Sequence, residues 1–220
     1  MRKFTSLKMF MVVTVLLFTA TKLSAQLLVE NFEYTVGSVL TSTTTANANT
    51  GWLAQSSGNG TENVTVTDGL SFTGYLGTGV GGAAYIDNSG QDIYKQFTAQ
   101  TSGTLYVSFM VKVESNTTAG YFLNLGKNTI GTTYFSRLFV NASGTGLGLS
   151  TNNTEPSYVS ITTGNTYVVV LKHDFTAHES KLFVLSSYSS TEPATADQTI
   201  SETNTEIGSI QLRQFNAGQK

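Results

Sequence analysis

The stretch Thr104–Val113, TLYVSFMVKV, constrains the fold of this chain more than any other. Leu105, Val107, Phe109, Val111 and Val113 alternate with Tyr106, Ser108, Met110 and Lys112. A period of two over ten residues is the pattern of a strand with one buried face, and it has no helical counterpart. The first set is expected to face a core.

Similar stretches recur along the sequence. Thr166–His173 (TYVVVLKH) and Ser180–Leu185 (SKLFVL) read as a hairpin turning at Phe175–His178. Its run Val168–Leu171 is apolar on both faces, as in a central strand. Tyr121–Leu125 and Tyr134–Val140 are further strands. In Tyr134–Val140, Arg137 argues that Phe135, Arg137 and Phe139 face outward, because an unpaired buried charge is costly. Weaker strands are expected at Leu27–Phe32, Asn63–Val66, Ala83–Ile86, Ile93–Phe97, Gly146–Leu149, Tyr158–Ile161 and Ser209–Leu212. Many short strands separated by Gly/Asn/Thr-rich turns predict an all-β fold, an antiparallel two-sheet jelly-roll sandwich. No repeat of 20–50 residues points to a propeller or solenoid.

The first 25 residues read differently. Arg2, Lys3 and Lys8 precede an apolar run, Met9–Ala20, and Leu23-Ser24-Ala25 supplies small residues for cleavage. This is the layout of a secretory signal peptide, with a run too short to span a bilayer. The expected products are a signal at 1–25 and one secreted domain at 26–220, extracellular, at the cell surface or periplasmic, with no membrane span after cleavage.

Four of the 12 Lys+Arg and none of the 14 Asp+Glu fall in the signal, so the mature chain carries 8 cations against 14 acids, a net of −6. The cations are scattered singly, which disfavours a nucleic-acid partner. There is no cysteine, hence no disulfide, thiolate ligand or cysteine nucleophile. Gly77, Gly79 and Gly82 match G-x-G-x-x-G, but a strand-like Ala83–Ile86 follows where a dinucleotide fingerprint needs a helix. His173, Asp174, His178 and Glu179 gather at the hairpin end, where a polar tip accounts for them better than zinc. No G-x-S-x-G elbow and no strand face with alternating carboxylates is present. No catalytic residue, metal or cofactor is expected.

The succession Glu30-Asn-Phe-Glu-Tyr34, Gly51-Trp52, Gly74-Tyr75, Val107-Ser-Phe-Met-Val111, Tyr121-Phe-Leu-Asn-Leu-Gly126, Arg137-Leu-Phe-Val140, Gly148-Leu-Ser150 and Tyr167-Val-Val-Val-Leu-Lys172 resembles secreted concanavalin A-like (laminin G-like) jelly-roll modules of Bacteroidetes-type bacteria. The resemblance runs through Ile207–Arg213 and concerns fold signatures. It implies a module of larger surface or extracellular proteins. Against that pattern a closing strand and a C-terminal sorting domain are lacking, which leaves Leu27–Phe32 as an expected edge open to self-association.

The function expected from these readings is non-catalytic carbohydrate binding or adhesion. A polysaccharide hydrolase or lyase and a structural spacer are the alternatives. Sugar recognition uses aromatic rings against C–H faces and planar polar groups against hydroxyls. Tyr106, Asn124, Phe135 and Arg137 are the candidate ligand-binding residues. Trp52, Tyr85 and Tyr134 have suitable chemistry, although Trp52 is the strongest candidate for the core.

Overall fold

A computed structural model of the chain describes residues 26–41, 50–55, 63–87, 89–216 and 218–220. The expected signal segment lies outside these described residues. Within them every regular element is a strand, paired antiparallel, and no helix is long and apolar enough to cross a membrane.

The chain forms thirteen strands: β1 Leu53–Ala54, β2 Thr65–Asp68, β3 Gly82–Tyr85, β4 Ile93–Gln100, β5 Thr104–Lys112, β6 Gly120–Gly126, β7 Tyr134–Val140, β8 Gly146–Ser150, β9 Val159–Ser160, β10 Thr166–Asp174, β11 Glu179–Leu185, β12 Gln198–Ser201 and β13 Ile207–Leu212. Seven make the larger sheet, in the order β1-β4-β13-β6-β7-β8-β9, and four make the smaller, β12-β11-β10-β5. β2 and β3 pair separately. The path crosses from one sheet to the other after β4, β5, β9 and β12, giving a jelly-roll sandwich.

The alternation in β5 has the expected orientation: Leu105 is buried, and Val107, Phe109 and Val111 pack against the core. That core lies between the sheets. Leu123, Leu138, Leu147 and Leu149 of the larger sheet meet Val169, Leu171 and Leu182 of the smaller. Each such side chain contributes on the order of 2 kcal/mol by leaving water. Trp52, Leu40, Val64 and Val66 extend the same core.

The β10–β11 hairpin turns where expected. The Asp174 carboxylate accepts from the Thr176 and Ala177 amides at 2.8 and 2.9 Å, which holds the chain in a turn and keeps the Asp174 carboxyl below its usual range. His178 closes the turn at φ 54°.

Two sequence expectations are corrected. Residues 27–32 form no strand; they lie as an irregular segment, and the larger sheet ends instead on the two-residue strand β1. The alternation expected in β7 also breaks. Leu123 pairs with Leu138 and Leu125 with Phe135, so three steps on β7 match two on β6. The extra residue is Ser136, at φ 47°. A bulge of one residue shifts the facing of everything on one side of it. Phe135 is therefore turned into the core with Leu105, Leu125, Phe175 and Ile207, while Leu138 and Val140 also face inward.

Candidate functional site

The outer face of the larger sheet carries a cluster of aromatic, guanidinium and amide groups. It exists because β13 runs between β4 and β6. Gln211 of β13 faces Tyr94 on one side and Asn124 on the other. The Asn124 Nδ2 donates to Gln211 Oε1 at 2.8 Å, and both amides are buried. Tyr121 lies opposite Phe139, with ring centroids 5.7 Å apart, and 6.2 Å from Tyr134.

Two arginines sit on these rings. The Arg213 guanidinium carbon is 4.3 Å from the Tyr121 centroid, and that of Arg137 is 5.4 Å from both Tyr121 and Tyr134. Such stacking holds a planar cation in place while leaving donors for other partners. Arg137 Nη1 donates to the Thr151 carbonyl, and its Nε is buried without a partner. Gln55 Nε2 donates to the Tyr134 hydroxyl at 2.9 Å. Burial is the first cause that pushes the Tyr134 hydroxyl above its ordinary value, aided by Tyr121 and Asp92 and opposed by Arg137 and Arg213. Burial likewise raises the Asp92 carboxyl against the Gln214 amide and Arg213. Tyr134, Arg137 and Arg213 remain half-buried at the surface, over a floor of Tyr121, Asn124 and Gln211.

The four residues expected to bind ligand are thus divided among three places. Asn124 and Arg137 lie on this face, Asn124 beneath the surface. Phe135 is in the inter-sheet core, 7% exposed, for the reason of the Ser136 bulge. Tyr106 is 50% exposed on the opposite side of the sandwich. There its hydroxyl donates to Glu192 at 2.7 Å, and Lys172 Nζ lies 5.3 Å from its ring. A small slot of about 210 Å³ beside it is floored by Val170, Phe183 and Leu185. A wider open cleft, about 470 Å³, begins at Ser150 and Thr151 beyond Arg137 and is lined largely by hydroxyls.

Sequence reasoning missed Gln211 and Arg213 as members of the cluster because only the pairing of β13 with β6 brings them beside Asn124. It missed Tyr121 because regular alternation would put Tyr121 and Asn124 on opposite faces, whereas the register shift between Tyr121 and Leu123 turns both outward. It also missed a buried polar network. Glu202 accepts from the Ser136 amide at 2.8 and 3.0 Å, from Ser136 Oγ at 2.8 Å and from Ser180 Oγ at 2.8 Å. Ser180 Oγ lies 2.8 Å from His173 Nδ1. These are the residue types of a hydrolytic triad, but here serine stands between histidine and carboxylate, and all three are buried. No substrate can reach them without opening the sandwich. His173 points inward and His178 outward, so the hairpin end does not gather its two imidazoles. Among the described residues no three His, Asp or Glu side chains are grouped to hold a metal ion.

Neither a protein-family model nor a curated protein matches this sequence. Solved structures do resemble the fold. A sialidase is similar over 56% of this chain at 15% identity and TM-score 0.42, and the match spans 10% of the sialidase. The CBM2 module of the evolved Dit of Lactobacillus casei BL23 phage J-1 is similar over 77% of this chain and 89% of its own, at 13% identity and TM-score 0.40. The metal-free lectin I-B4 of Griffonia simplicifolia is similar over 78% and 90%, at 9% identity and TM-score 0.39. Similarity at this level concerns the β-sandwich and extends to no residue of the cluster.

Proposed function

We propose that this chain is an extracellular module that binds carbohydrate without transforming it, through the outer face of its larger sheet. The observation that carries this reading is the seating of Arg137 and Arg213 on the Tyr121 and Tyr134 rings, with Tyr134, Arg137 and Arg213 reaching solvent. A half-exposed ring offers a surface for a sugar's C–H face. Guanidiniums held in fixed planes offer directed donors to its hydroxyls. The buried Asn124–Gln211 pair fixes the floor, so little ordering remains to be done on binding.

Catalysis is the less favoured use of this face. Glycoside hydrolysis takes two carboxyl groups on either side of the scissile bond. Asp92 is the carboxylate that acts electrostatically on Tyr134 and Arg213, it accepts from the Gln214 amide at 3.0 Å, and no other carboxylate among the described residues shifts the Tyr134 hydroxyl.

The export signal read at residues 1–25 supports the extracellular placement, with a mature N-terminus at Gln26. Intact mass of the exported protein tests this, and a secreted form retaining Met1–Ala25 refutes it. Binding is tested on a polysaccharide array with the mature protein. A hit is expected, weakened about tenfold or more by Tyr134→Ala, which corresponds to the loss of one good stacking contact. Absence of any hit, or hits indifferent to Tyr134→Ala, overturns the reading.

A further inference from the structure

The charge of the cluster says which sugars suit it. Arg137 and Arg213 both lie against the ring of Tyr121, at 5.4 and 4.3 Å. Their separation therefore cannot exceed the sum of these distances, about one Debye length at 0.1 M ionic strength. Two like charges so close repel each other. Surface arginines normally relieve this with carboxylates, yet each ion pair formed among the described residues uses a lysine: Lys95–Glu30, Lys112–Glu114, Lys172–Glu192 and Lys181–Glu179. Asp92 attracts Arg213, and as a single carboxylate it offsets at most one of the two cations. The chain as a whole is acidic, with a formal net charge of −2 for the full sequence. A locally positive face on an acidic protein is not a by-product of composition.

We infer that the face selects acidic carbohydrate, a polymer whose sugars carry carboxylate or sulfate groups. This inference rests on the carbohydrate reading above and names its ligand class. An anion within reach of both guanidiniums relieves their repulsion and receives charge-assisted hydrogen bonds. A neutral sugar leaves both charges uncompensated.

The probes are two matched pairs: polygalacturonate with its carboxyl-reduced form, and dextran sulfate with dextran. Binding by the mature protein is measured by biolayer interferometry, with melting curves confirming that each variant is folded. The expected result is preference of about tenfold or more for at least one acidic member over its neutral counterpart. That preference is expected to weaken with added salt, as screening requires, and to be lost in Arg137→Gln combined with Arg213→Gln. Arg213→Lys, which keeps the charge, is expected to retain part of it; if the double variant fails to fold, the single variants Arg137→Gln and Arg213→Gln replace it, each expected to weaken the preference. Which pair shows the preference separates carboxylate from sulfate recognition. Equal binding to acidic and neutral members overturns this inference and leaves the carbohydrate reading standing. An acidic preference that survives the double variant overturns the assignment to this face. Binding to none of the four polymers, with no hit on the array, overturns both.

Discussion

Ser180 lies directly across the β10–β11 hairpin from His173, and its hydroxyl lies 2.8 Å from His173 Nδ1 and 2.8 Å from Glu202. The Ser180 hydroxyl donates its one proton to Glu202, so at its contact with His173 it accepts from Nδ1–H. His173 is then the neutral tautomer whose Nε2 carries a lone pair, and Nε2 is buried without a partner. The Phe175 ring stands edge-on to the imidazole at 4.6 Å.

Acid is expected to destabilise the protein through His173. Burial is the main cause that lowers its pKa below the ordinary histidine value of about 6.5; Asp174 opposes the lowering and His178 adds to it. The folded state therefore binds this proton less readily than the unfolded chain. The associated stability is complete above about pH 6.5 and declines as pH falls toward the folded value. Urea midpoints measured from pH 8 to pH 5 should fall, and His173→Gln should flatten that decline. An unchanged slope in the variant contradicts the role given to His173.

Glu202→Ala is expected to cost about 3 kcal/mol, because the Ser136 amide and two hydroxyls lose a buried acceptor. Glu202→Gln should cost less but not nothing, since its NH₂ meets groups that are themselves donors. Equilibrium denaturation compares the two. A cost within 0.5 kcal/mol for the alanine variant, on the order of an ordinary surface substitution, contradicts the network.

Neighbouring aromatic residues on β7 should behave oppositely. Phe135→Ala opens a cavity between the sheets and is expected to cost about 3–5 kcal/mol. Tyr134→Ala should cost about 1 kcal/mol and act mainly on binding. Denaturant titrations beside array binding separate the two effects. Similar stability costs for both would place Tyr134 in the packing.

Treatment with EDTA is expected to leave the melting temperature unchanged, since the described residues contain no grouped ligands for an ion. A drop of several degrees, restored by calcium or zinc, overturns this.

The strands were legible where apolar residues alternate or run together. The inward set of β5 and the β10–β11 hairpin with its turn at 175–178 follow from Leu105–Val111, Val168–Leu171 and Asp174 alone. What the sequence concealed was local irregularity and distant juxtaposition. One residue at positive φ, Ser136, reverses the facing of Phe135, and a serine in a strand announces no bulge. β12, QTIS, is short and polar because its role is to pair with β11 at a sheet edge, so it has no apolar signature. Glu202 follows it, and nothing near Glu202 in sequence points to Ser136 or Ser180. Arg137 announces its outward face by its charge, but Arg213 joins it only through the pairing of β13 with β6.

The position of β13 also has a consequence in time. β4 and β6 never touch as neighbours; each pairs with β13, which is made more than a hundred residues after its partners on β4. A growing chain can form the β10–β11 hairpin as soon as Leu185 is available, yet its larger sheet stays split into β1-β4 and β6-β7-β8-β9 until Leu212 has emerged. During that interval two strand borders stand open, with their amides and carbonyls unmatched. Long-range pairing of this kind is slow and exposed to aggregation. The last strand of the sheet to be synthesised is the one that makes it a single sheet.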